Sequence, residues 1–68
     1  MENLGTIIKE RRKALAITQR EFAALAGIGI NTLTKIERGE ANPSLRVVSS
    51  VLDTLGLEMD IKIKSNKL

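Results

Sequence analysis

A chain of 68 residues with no cysteine and no histidine has neither disulfides nor the usual zinc ligands to supplement a small core, which leaves oligomerisation as the expected supplement. A hydrophobic fraction of 43% with 28% charged residues excludes a disordered segment, and no apolar run reaches the length of a membrane span. The net charge of +3 favours a polyanionic partner: Lys9, Arg11, Arg12, Lys13, Arg20, Lys35, Arg38 and Arg46 outweigh Glu10, Glu21, Glu37 and Glu40 across residues 9–46, whereas residues 47–61 carry Asp53, Glu58 and Asp60 and no basic group.

In chain order, Met1 to Gly5 lacks a basic cluster ahead of an apolar run, so no secretory signal is expected and the cytoplasm is the expected compartment. Leu4, Ile7, Ile8 and Leu15 recur at helical spacing and predict a first helix. Thr18-Gln19-Arg20-Glu21 has the spacing of a capping box, which opens a second helix through Phe22, Ala23, Leu25 and Ala26 to Gly27. After a tight turn, Leu33 and Ile36 mark a short third helix from Ile30 to Arg38, with Gly29 as its N-cap and Gly39 as its stop. Ser44, following Pro43, caps a fourth helix whose stripe is Leu45, Val48, Val51, Leu52 and Leu55 and which Gly56 ends.

The period then changes. Leu57, Met59, Ile61 and Ile63 alternate with Glu58, Asp60, Lys62 and Lys64, the two-residue repeat of a strand. A lone strand in a helical chain needs a ladder partner, and the same strand of a second copy is the simplest one. The alternative is a dimer made by the fourth helix through Val47 and Val51. The expected fold is therefore mostly α: residues 1–56 form a four-helix helix-turn-helix domain, and residues 57–68 form a dimerisation strand with a basic tail.

The second and third helices satisfy the packing logic of a helix-turn-helix unit, with Ala23 small at the helix approach and Gly27 in the turn. Phe22, Ala26, Ile28, Leu33 and Ile36 are apolar where the unit meets the other helices. No catalytic chemistry is expected, because without histidine or cysteine and with few paired carboxylates there is no convincing nucleophile, base or metal site. No cofactor or metal is expected either.

The run Ile17-Thr18-Gln19, the pairs Leu4-Gly5, Phe22-Ala23 and Gly27-Ile28, the run Ile36-Glu37-Arg38-Gly39, the run Asn42-Pro43-Ser44-Leu45 and the pair Leu55-Gly56, with Ile8, Arg12 and Leu33, resemble the Cro/phage-repressor (XRE) helix-turn-helix family. The tail from Leu57 to Leu68 resembles the terminal strand of the HipB-type antitoxin branch. The first resemblance implies a lambda-repressor-like fold and a dimeric repressor of transcription, bound to double-stranded DNA with the third helix in the major groove. It implies base contacts from Ile30, Asn31, Thr34 and Lys35, and phosphate contacts from Gln19, Thr32, Arg38, Asn42 and Arg46.

Side-chain chemistry is compatible with several of these roles: Asn31 can pair with adenine, Lys35 can donate to guanine, and Ile30 can meet a thymine methyl. Ile30 can equally be an apolar turn residue and Lys35 a phosphate-contacting or solvated lysine; Arg38, Asn42 and Arg46 can equally be solvated. The resemblance further implies a structural salt bridge of Arg12 with Glu37, and a dimer contact through Leu57, Met59, Ile61 and Ile63. The HipB-type likeness implies an autoregulating antitoxin with a HipA-like kinase toxin as second partner. A protein-interaction module whose main role is to neutralise that toxin is the competing function, and exposed apolar surface at Leu25 and Val47 would favour it.

Overall fold

Four helices succeed one another in the computed structural model, which describes residues 3–60: α1 over Leu4–Ala14, α2 over Gln19–Ala26, α3 over Ile30–Arg38 and α4 over Leu45–Thr54. Side-chain oxygens satisfy first-turn amides that have no intrahelical partner. Asn3 accepts from the Thr6 amide at 2.8 Å, Thr18 from the Glu21 amide at 3.1 Å, and Ser44 from the Val47 amide at 3.2 Å. The Glu21 carboxylate in turn accepts from the Thr18 amide at 2.9 Å, which completes the capping box. Gly29 precedes α3 and gives it no side-chain cap.

All four helices close in the same way. One residue turns left-handed, and the next amide donates back to a carbonyl of the last turn. Gly27, Gly39 and Gly56 take that position with φ of 72°, 76° and 73°. The returning bonds are Ile28 N–H to Ala23 O at 3.0 Å, Glu40 N–H to Lys35 O at 2.9 Å and Leu57 N–H to Leu52 O at 2.8 Å. At the end of α1 the position falls to Ala16, with φ of 59° and a bond from Ile17 N–H to Arg12 O at 3.2 Å. A Cβ makes this conformation costly, so Ala16 does not favour the α1 stop by itself. Ile17 holds it, through that amide and through a carbonyl that accepts from Arg12 Nη1 at 2.8 Å.

Helix α1 packs on α3, and α2 packs on both α3 and α4. Their shared core is Ile8, Phe22, Ala23, Ala26, Leu33, Ile36, Val48, Val51, Leu52 and Leu55. The buried face of α1 is Gly5, Ile8 and Arg12. Gly5 sits against the backbone of α3 so closely that a Cβ there would overlap the Ile36 carbonyl oxygen and lie 2.9 Å from that of Glu37. Two C-terminal carbonyls are satisfied across helices: Ser50 Oγ donates to Ala26 O at 2.8 Å and Arg11 Nε to Leu55 O at 3.0 Å. Among the described residues no buried side-chain nitrogen or oxygen lacks a partner.

Some expectations from apolar spacing need correction. Ile7 and Leu15 are exposed rather than part of the α1 core stripe, because a glycine and a charged residue occupy its inner face. Leu45 fits the α4 stripe by angle but is 74% exposed, since it stands at the first helical position and the buried cluster begins one turn later at Val48. Val51 is fully buried and offers no surface for a dimer through α4, whereas Val47 packs partly against the core and keeps part of its surface exposed.

Among the described residues no strand is present. Leu57 packs partly against the core and spends its amide on the closing turn of α4, while Met59 is 47% exposed. Ile61 and Ile63 lie outside the described residues. No helix among the described residues is long and apolar enough to cross a membrane.

Candidate nucleic-acid interface

Helix α3 is built with one side for the core and the other for solvent. Leu33, Ile36 and Glu37 are buried, whereas Ile30, Asn31, Lys35 and Arg38 are exposed and Thr34 is half-buried. At about 100° per residue, Ile30, Thr34, Arg38, Asn31 and Lys35 fall within an arc of about 140° opposite the buried residues. Thr32, also exposed, flanks that arc. Asn42 and Arg46 are exposed on the loop after α3 and the first turn of α4.

The outward face carries no negative charge, because the acid of this helix is turned inward. Glu37 is 8% exposed and receives Arg12 Nε at 2.7 Å and Arg12 Nη2 at 3.1 Å. Arg12, equally buried, spends Nη1 on the Ile17 carbonyl. Burial works against the ionised form of Glu37, but the hydrogen bonds from Arg12 and Gln19 and the charges of Arg12 and Lys9 outweigh it, holding the carboxyl below its ordinary range. A pair of this kind fixes geometry: it ties α1 to the end of α3 while its desolvation offsets much of the Coulombic gain.

Gln19, at the first position of α2, is engaged more closely than a free phosphate clamp would be. Its Nε2 donates to Glu37 Oε1 at 3.0 Å, and its Oε1 lies 3.5 Å from the Thr34 hydroxyl. That hydroxyl donates at 2.9 Å to Ile30 O, the better of its two acceptors. Position and residue type point to an amide near the free end of α2 but do not disclose this inward partner. Gly5, the contact on which the α1–α3 distance depends, had no signal beyond its place in the family pattern. Ser50 and Arg11, which close the ends of α2 and α4, had none.

The helix-turn-helix family model matches residues 8–62, which takes in all of α2, the turn and α3. The chain belongs to the helix-turn-helix family. It is 38% identical over 55 residues to an uncharacterized HTH-type transcriptional regulator of Methanothermobacter thermautotrophicus, covering 81% of this chain and 80% of that protein. It is 36% identical over 56 residues to the uncharacterized HTH-type transcriptional regulator YazB of Bacillus subtilis, covering 82% and 81%. A third likeness, 38% over 55 residues, is to the type II methyltransferase M.SsoII of Shigella sonnei. There the match covers 76% of this helix-turn-helix chain but 14% of the enzyme, so the likeness is to a small part of that protein.

Proposed function

We propose that this helix-turn-helix protein is a sequence-specific regulator of transcription that binds double-stranded DNA as a dimeric repressor, with α3 in the major groove. The observation that carries the reading is the solvent face of α3, where Ile30, Asn31, Thr34 and Lys35 share one arc with no acid among them. Asn31 would read adenine, Lys35 guanine and Ile30, 39% exposed, a thymine methyl. Thr32, Arg38, Asn42 and Arg46 would hold phosphates, together with Gln19 and the first amides of α2. The segment from Leu57 through Met59, Ile61 and Ile63 would pair with its two-fold mate and set the spacing of two half-sites.

The test is DNA retardation with duplex from the protein's own upstream region and with random duplex, across a salt series. With roughly six to ten phosphates neutralised per dimer, affinity is expected to fall about 10³- to 10⁵-fold between about 50 and 200 mM salt. Asn31→Ala and Lys35→Ala are each expected to cost about 1 to 3 kcal/mol per half-site on the specific duplex and almost nothing on random duplex. A flat salt response rules out the DNA-binding reading. Equal losses on both duplexes would make Lys35 a phosphate contact instead.

The antitoxin form of this reading adds a HipA-like kinase toxin as partner. Leu25, 67% exposed on α2, is the apolar side chain this form would use, whereas Val47 is partly covered by the core. In that form Leu25→Lys would leave operator binding unchanged and weaken inhibition of the kinase.

A further inference from the structure

The side-chain amide of Gln19 has its orientation decided by its neighbour. A carboxylate accepts hydrogen bonds and donates none, so the face of the amide that meets Glu37 Oε1 at 3.0 Å must be the NH2. The carboxylate is itself immobile: it is buried and gripped by two nitrogens of Arg12, whose third nitrogen is anchored on the Ile17 carbonyl. One Gln19 N–H is thereby consumed. The other has no acceptor among the described residues and belongs to a half-exposed side chain at the start of α2, where the first backbone amides also lack intrahelical partners.

We infer that Glu37 is a positioning residue for DNA binding: it aligns the Gln19 amide, so that the remaining N–H joins the uncapped backbone amides of Gln19 and Arg20 in holding one phosphate. The proposal rests on the reading of Gln19 as a phosphate contact and adds what aims it. A buried pair between α1 and α3 thus acts on a DNA ligand carried by α2. Glu37 and Arg12 touch no DNA in this arrangement. Their effect on affinity passes through Gln19 and equals the cost of immobilising one flexible side chain on binding, about 2- to 10-fold per half-site.

A double-mutant cycle tests this with the full chain. Arg12→Met and Glu37→Leu are made together, so that neither partner is left as a lone buried charge. Affinity for random duplex at fixed low salt is then compared in the natural and the Gln19→Ala backgrounds. The expected result is a loss of about 2- to 10-fold per half-site with Gln19 present and no further loss with Gln19→Ala. Equal losses in both backgrounds would mean that the pair acts through the fold alone, and would overturn the proposal.

If Gln19→Ala binds as tightly as the natural chain, Gln19 is no phosphate contact and the proposal falls while DNA binding stands. If the natural chain retards no duplex, both readings fall. A second measurement needs no variant. Gln19 is the single glutamine of the chain, and its side-chain NH2 should show the 15N relaxation of an ordered group in the free protein. Relaxation typical of a freely rotating side chain would overturn the proposal even if the double variant failed to fold.

Discussion

Substituting Gly5 with alanine sets local propensity against tertiary packing, and the geometry decides which prevails. Within a helix, alanine is favoured over glycine by about 0.5 to 1 kcal/mol, so propensity alone makes Gly5→Ala stabilising. The added methyl, however, would overlap the Ile36 carbonyl oxygen and lie 2.9 Å from that of Glu37. Both obstacles are backbone atoms of α3 and cannot turn aside as a side chain can. Relief requires α1 and α3 to separate, which loosens Ile8 on the core and strains the Arg12–Glu37 bridge at 2.7 Å.

Overpacking of this kind costs about 1 to 3 kcal/mol, so the net expectation is a loss of about 0.5 to 2 kcal/mol. With no tryptophan or tyrosine in the chain, urea unfolding is best followed by far-UV circular dichroism at fixed protein concentration. Ser49→Ala, at an exposed position of α4, supplies the control for propensity alone and should raise the midpoint slightly. A Gly5→Ala protein as stable as the natural chain, or more so, would refute the close-approach argument.

Ala16→Gly should act in the opposite direction, because Ala16 holds φ of 59° at the end of α1. Relief of about 1 to 2 kcal/mol, less the entropy that glycine adds to the unfolded chain, leaves a gain of about 0.5 to 1 kcal/mol, visible as a Tm rise of several degrees. Acid should destabilise the fold through Glu37 and Glu21, whose carboxyls are both held below their ordinary value of 4.5. Lowered folded-state values contribute stability above that pH that is lost as pH falls through them; Glu37→Gln should therefore be less stable at neutral pH but show a shallower acid decline, and an unchanged decline would absolve Glu37. Ile61→Asp, which puts a charge on the expected pairing segment, should shift sedimentation equilibrium toward monomer and lower operator affinity with every DNA-facing residue intact; an unchanged dimer would dismiss the strand.

The helix boundaries were legible because each carries its own chemistry. Thr18 with Glu21, Gly27, Gly39, Ser44 after Pro43 and Gly56 are local signals whose partners lie within a few residues, and the structure uses each of them. What stayed hidden depends on contacts distant in sequence. Gly5 is small because of α3, Gln19 is held by a carboxylate eighteen residues away, and Arg11 closes a helix forty-four residues away. Periodicity also overstated the core: it counted Ile7, Leu15 and Leu45 as apolar and so inward, although the inner face of α1 is partly glycine and arginine, and Leu45 stands ahead of the first buried turn.

The division of α3 into an anchored and an unattached side bears on how such a protein can diversify. Among the described residues no side-chain hydrogen bond or ion pair involves Asn31, Lys35 or Arg38, whereas the inward residues Leu33, Ile36 and Glu37 are committed to the core and to Arg12. Exchanging the outward residues should therefore leave the melting behaviour almost unchanged, since surface substitutions away from such commitments usually stay within about 0.5 kcal/mol. On the proposed reading, duplicated copies of this chain can drift toward new target sequences at Asn31 and Lys35, and adjust backbone affinity at Arg38, while the scaffold stays under unaltered selection for folding.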